Sequence, residues 1–179
     1  MRTFIAVPMP PEVKDYLFDL KKYFKGAGVN WVHKKNLHLT LSFMGNISEK
    51  QAETIKMRLK DIEFKPFKAK LSKLGFFPSA KDPKIIWISL EPEKEIKELQ
   101  IKVDQEVFDI SPQNQEFKSH ITIGRIKNFK KKQDFLDSIK EVKIEQLQFT
   151  INSFQFLKSE LATTGPKYFT IENYESNKN

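Results

Sequence analysis

Residues 38–41 read His38-Leu39-Thr40-Leu41, and residues 120–123 read His120-Ile121-Thr122-Ile123. The chain has 179 residues and 3 histidines, and two of these stand in the two tetrapeptides, 82 positions apart. In a strand, side chains alternate between faces. His38 and Thr40 therefore share one face while Leu39 and Leu41 take the other. His120 and Thr122 stand in the same relation to Ile121 and Ile123. Each tetrapeptide offers an imidazole and a hydroxyl to one surface and anchors itself with two apolar side chains on the other. A single His-x-Thr would read as an ordinary half-buried strand histidine. Its return at nearly half the chain length predicts two matching strands, from two similar halves, facing each other across one cleft.

Working outward, the same order of elements is expected twice. Thr3 to Val7 reads as a buried strand stopped by Pro8, Pro10 and Pro11. Glu12 to Phe24 has apolar residues at helical spacing (Val13, Leu17, Leu20, Phe24), and Gly26 and Gly28 end it. Leu37 to Phe43 is the first motif strand. Ser48 caps a helix from Glu49 to Leu59, with Gln51 in capping-box position. Phe64 to Leu74 reads as a strand and Gly75 to Pro83 as a loop. In the second half, Lys84 to Leu90 is a strand, Glu93 to Phe108 a helix, and Ser119 to Ile126 the second motif strand. Lys130 to Ile139 is a helix, and Val142 to Leu157 is strand-like, as two strands or one long bent one. Tyr168 to Ile171 is a final strand, and Ser176 to Asn179 a polar, disordered tail. Adding 82 sets Phe4 on Ile86, Ala6 on Ile88, Pro10 on Pro92, Gln51 on Gln133 and Phe67 on Phe149. The expected architecture is a bilobal α+β fold in one domain spanning residues 1–179. Its two pseudo-two-fold related β-α-β-α-β halves, about 2–76 and 84–158, are intertwined. Their sheets line a central cleft, with the helices outside.

Composition narrows the chemistry. Lys and Arg number 31 against 23 Asp and Glu, a net charge of +8 that favours anionic partners, nucleic acid above all. With 0 Cys, disulfides, thiolate nucleophiles and cysteine-based metal centres are excluded, as fits a reducing cytoplasm. No apolar run is long enough for a membrane span, and Met1 to Pro11 lacks the pattern of a signal peptide. Acidic residues are scattered without metal-ligand spacing, and no Gly-rich phosphate loop is present. Two imidazoles titrating near neutral pH supply one proton acceptor and one donor. Two threonine hydroxyls donate hydrogen bonds to phosphate oxygens. Converging on one phosphorus, the four groups make a phosphodiesterase site that needs no metal and no cofactor.

These blocks resemble the two-histidine phosphoesterases, in particular the RNA 2′,3′-cyclic phosphodiesterase branch, also called the 2′-5′ RNA ligase family. The likeness runs through Arg2 to Val7, Trp31-Val32, Asn36 to Gly45, Ser119 to Arg125, Lys158 to Leu161 and Gly165 to Tyr168. Met44 and Ile123 stand where leucine is usual. The resemblance implies metal-free hydrolysis of a terminal RNA 2′,3′-cyclic phosphate to a 2′-phosphate. In some members it extends to ATP-independent 2′-5′ joining of tRNA halves. It implies His38 as the acid protonating the leaving 3′ oxygen, His120 as the base activating water, and Thr40 and Thr122 as holders of the phosphate oxygens.

Arg125 follows Gly124 and would face away from His120 in a regular strand. A bulge at Gly124 would turn it into the cleft as a phosphate ligand. His33 reads as structural or exposed. Trp31 and the Phe76-Phe77-Pro78 loop read as packing residues with a second reading as base-stacking platforms. The Lys130-Lys131-Lys132 run reads as a solvated face. The expected protein is a cytoplasmic, monomeric enzyme acting on RNA ends. Two other readings stay open at this stage: an RNA-end or tRNA binding module with incidental catalysis, and a phosphodiesterase for a small cyclic nucleotide.

Overall fold

Two antiparallel sheets carry the molecule, and each contains one motif strand. The computed structural model describes residues 1–178. In chain order the elements are β1 (Arg2–Pro8), α1 (Pro11–Asp19), β2 (Ala27–Trp31), β3 (His38–Asn46), α2 (Glu49–Arg58), β4 (Phe67–Pro78), β5 (Pro83–Glu91), α3 (Glu93–Val107), β6 (His120–Phe129), α4 (Lys132–Glu141), β7 (Gln148–Ile151), β8 (Ser153–Ala162) and β9 (Gly165–Glu175). One sheet has the order β3-β1-β8-β9 and the other β2-β6-β5-β4-β7. Apart from the added edge strand β2, the two orders interconvert when β3 is exchanged for β6, β1 for β5, β8 for β4 and β9 for β7. The two halves thus trade strands: β4, from the first, pairs with β5, and β8, from the second, pairs with β1.

The helices form as their sequences dictate. Ser48 accepts from the Gln51 backbone N–H at 3.2 Å while the Gln51 side chain accepts from the Ser48 N–H at 2.9 Å, so α2 starts in a capping box. Ile96, Leu99, Val103 and Val107 form the buried stripe of α3. These side chains join Ile5, Val7, Leu39 and Leu41 of one sheet and Ile86, Ile88, Ile121 and Ile123 of the other in one core. Each fully buried Leu or Ile contributes roughly 1.5–3 kcal/mol. The helices therefore cover the sheet faces turned away from the histidines. A second, smaller apolar cluster of Phe4, Ala6 and Leu157, with Tyr168 against it, lies on the opposite face of β1.

The structure corrects several expectations. The first helix ends at Asp19 and tightens into a 3-10 turn over Leu20–Tyr23. Residues 27–31, outside every expected strand, form β2 on the edge of β6. Phe76, Phe77 and Pro78 are not in a loop, because β4 runs on through them, paired with Ile86, Ile85 and Pro83. Residues 142–157 hold two strands, β7 and the start of β8, as one of the two sequence readings has it, and only the stretch before Gln148 is not strand. The final strand is β9, longer than expected at both ends. In the tail, the Ser176 and Asn177 N–H groups donate to Asn152 and Phe64, so these residues are tied down; Asn179 lies outside the described residues. The constant shift of 82 holds for the motif strands and for the helix starts after Pro10 and Pro92, but not for the other strands. Ala6 faces Thr40 and Trp87 faces Thr122, so β1 maps onto β5 with a shift of 81. Gln155 faces Ala6 and Gly75 faces Trp87, so β4 maps onto β8 with a shift of 80. Phe67 and Phe149 lie on β4 and β7, neighbours in one sheet, and are not equivalent.

Candidate active site

Both motif strands are bulged at the same place. On β3, Thr40 pairs with Ala6 and Ser42 with Ile5, leaving Leu41 as the extra residue. On β6, Thr122 pairs with Trp87 and Gly124 with Ile86, leaving Ile123 extra. A bulge resets the alternation of side chains. Leu41 and Ser42 are consecutively buried, as are Ile123 and Gly124. Phe43 and Arg125, the next residues, then emerge exposed on the histidine face. Gly124 is required by close approach: a Cβ there would lie 2.7 Å from Val29 Cγ1 and 2.9 Å from the Trp31 ring. The sequence-based expectation that a bulge turns Arg125 toward the cleft matches this backbone.

His38 is fixed at both ring nitrogens. Nδ1 lies 2.6 Å from the Asn36 carbonyl, and a carbonyl only accepts, so Nδ1 carries the proton and Nε2 is the acceptor. The Thr40 hydroxyl then donates to Nε2 at 2.9 Å. Asn36 is itself buried and donates its side-chain amide to the Pro166 carbonyl at 2.8 Å, tying the motif to β9. The imidazole packs on Phe4 and Tyr168, with centroids 5.0 and 5.5 Å away. Burial pushes its pKa down to about 4; the nearby Lys14 and His120 charges add to this, and the bond to Asn36 opposes it.

His120 repeats the backbone bond and changes the surroundings. Its Nδ1 donates to the Lys118 carbonyl at 2.6 Å, which again leaves Nε2 as the free base. Phe77 and Trp87 flank the ring edge-on at 5.1 and 5.9 Å. The Lys118 ammonium sits 4.7 Å over the Trp87 ring. Burial lowers the His120 pKa, with the Lys118 charge acting in the same direction and the carbonyl bond against it. Among the described residues, no group of three or more His, Cys, Asp and Glu side chains is placed to hold a metal ion.

The two histidines belong to one cleft. β3 and β6 lie against each other, and the His120 charge reaches His38. Tyr168, raised by burial, feels the Arg125 and Arg2 guanidiniums pulling the other way, which sets Arg125 of one sheet near the tyrosine of the other. Beside His38, a hollow of about 390 Å³ opens between β1, β8, β9 and α1. The remaining sequence candidates lie outside the cleft. His33 is exposed, 2.7 Å from the Thr164 carbonyl. Trp31 packs on Phe24 and the Gly124 bulge. Lys132 lies over Phe129, and none of Lys130, Lys131 and Lys132 lines the hollow beside His38. Sequence reading missed Phe4, Trp87 and Tyr168 as ring neighbours, because they arrive from paired strands. For Phe77 the signal was there, as a candidate stacking residue.

Two sheets that each present a bulged His-x-Thr strand to a shared cleft define a two-histidine phosphoesterase. The chain belongs to the LigT like phosphoesterase family, whose model matches twice, over residues 7–87 and 88–168. The two matches begin 81 residues apart, the shift that relates β1 to β5. An RNA 2′,3′-cyclic phosphodiesterase of Archaeoglobus fulgidus is 29% identical over 98% of this chain and 100% of its own. One of Methanocaldococcus jannaschii is 30% identical over 97% and 100%. A crystal structure of a Thermus thermophilus protein matches with a TM-score of 0.78 at 27% identity, covering 98% of this chain and 97% of that one. No helix among the described residues is long and apolar enough to cross a membrane.

Proposed function

We propose that the protein hydrolyses terminal 2′,3′-cyclic phosphates of RNA to 2′-phosphates, without a metal, using His38 as acid and His120 as base. The observation that carries this reading is the repeated carbonyl bond: both Nδ1 atoms are held by backbone oxygens two residues upstream. Each Nε2 is thereby committed to proton exchange. Water attacks phosphorus and gives its proton to His120 Nε2. The P–O3′ bond breaks, and His38 delivers a proton from Nε2 to the departing O3′. The product is a 2′-phosphate with a free 3′-hydroxyl, and the two imidazoles have exchanged protonation states, to be reset by solvent. The Thr40 and Thr122 hydroxyls and the Arg125 guanidinium stabilise charge on the phosphate oxygens.

The cleft's asymmetry supports this assignment of acid and base. In a cyclic phosphate the ribose lies on the leaving-group side, and the hollow opens beside His38. In the free protein His38 is neutral near pH 7, given a pKa of about 4. Phosphate bound between the threonines raises that value by placing negative charge against the ring, and it takes over the Thr40 hydroxyl. Joining of RNA ends would run the same steps in the same direction, with a 5′-hydroxyl in place of water beside His120, and leave a 2′-5′ linkage and a free 3′-hydroxyl. The test is to incubate an RNA ending in a 2′,3′-cyclic phosphate with the protein in excess chelator and to identify the product end. A 2′-phosphate is expected. A 3′-phosphate, or loss of activity restored by added metal, would refute the reading.

A further inference from the structure

The proposed reaction uses the hollow beside His38 only as room on the leaving-group side and does not account for its lining. Its lining includes none of Thr40, Thr122, His120 and Arg125, so it adjoins the reacting centre without being part of it. Ala6 and Leu157 give it an apolar floor, the Tyr168 ring that packs on Phe4 and His38 borders it, and Phe169 also lines it. Lys14, Lys35 and Lys167 also line it. None of these three ammoniums pairs with a carboxylate among the described residues. Lys14 is steadied by donating to the Lys35 carbonyl at 3.3 Å. Unpaired cations around an apolar, aromatic-sided hollow suit a ligand that is flat and apolar in one part and anionic in another. Its volume, about 390 Å³, falls in the roughly 300–1,000 Å³ range of small-ligand sites.

The matching positions of the other half are occupied differently. Trp87 stands where Ala6 stands, and Gly75 stands where Gln155 stands. The indole lies against the glycine, where a Cβ would come within 2.2 Å of the ring. The matching space on the His120 side is therefore filled, and a chain leaving the phosphate centre has room on the His38 side.

Building on the proposed reaction, we propose that this hollow is the subsite for the nucleotide that carries the cyclic phosphate, with Lys35 and Lys167 binding the phosphodiester on its 5′ side. The ribose and base rest on Leu157 and the Tyr168–Phe169 edge. The enzyme thereby distinguishes the end of a chain from a free cyclic nucleoside phosphate. A base-stacking contact is sequence-tolerant, since every base has a π-face, so the subsite reads backbone charge and not sequence.

The experiment compares two substrates, a nucleoside 2′,3′-cyclic phosphate and the same compound bearing a 5′-phosphate. Wild type is expected to favour the 5′-phosphorylated substrate in kcat/KM by about tenfold at low salt. In the Lys35→Ala/Lys167→Ala double variant that ratio is expected to fall toward one. Equal use of both substrates by wild type overturns the proposal. So does a ratio that survives in the double variant, or an equal loss on both substrates, which would mark a diffuse field. Turnover of neither substrate, nor of a longer RNA end, would bring down the reaction itself and the subsite with it.

Discussion

The two His-x-Thr strands share a backbone and differ in their neighbours. Both carry a bulge one residue after the threonine, and both pin the imidazole through Nδ1 to a carbonyl two residues upstream. Around His38 stand Phe4, Tyr168 and an open hollow; around His120 stand Phe77, Trp87 and Lys118. His38 has its threonine bound to Nε2, an interaction that His120 and Thr122 do not repeat. Repetition fixes the geometry of the two imidazoles, and the unrepeated neighbours make the two halves unlike. One pair of positions carries much of that difference: Ala6 leaves space that Trp87 fills.

The strongest way to break this comparison is to remove either ring. His38→Ala and His120→Ala should each lower kcat by about 10²–10⁴-fold. Combining them should cost little more, since the two act as a unit. Near-normal turnover in one variant would mean that one histidine suffices.

Acid titration sharpens the comparison. The His38 imidazole titrates near 6.5 in the unfolded chain and near 4 when folded. Between those values the unfolded state binds more protons, so stability falls as the pH drops through that window and is fully restored above it. The His38 contribution is up to about 3 kcal/mol. Denaturant melts of His38→Gln should show a flatter acid limb than wild type, and His120→Gln should change that limb less. The reverse order would contradict the deeper burial of His38.

A smaller effect tests the filled side. Gly75→Ala forces a methyl against the Trp87 indole and should destabilise the fold by about 1–3 kcal/mol. Thermal melting would measure this. NMR should show the shift of the His120 ring resonances exceeding that of His38.

Much of this site was legible in the sequence because its chemistry is local. A tetrapeptide shows which side chains share a face, so His38, Thr40, His120 and Thr122 could be chosen from their spacing, and Gly124 hinted that Arg125 would turn. What lay beyond reach was register. The exchange of β4 and β8 between the sheets, and hence the packing of Phe77 and Trp87 on His120, depends on which strands pair across long separations. A constant shift of 82 put Phe4 on Ile86, a core residue, because the true shift there is 81, and a slip of one residue reverses the face. Gly75 read as the start of a loop, and only the indole lying over it shows why β4 carries a glycine there.

The most direct test of the unlike roles of the two histidines uses an RNA end whose cyclic phosphate bears sulfur in place of the bridging 3′ oxygen. A sulfur leaving group departs without a proton, so the variant lacking the acid should recover and the variant lacking the base should not. His38→Ala is expected to regain most of its lost rate on this substrate while His120→Ala stays inactive. Recovery by His120→Ala, or by neither variant, would contradict the assignment.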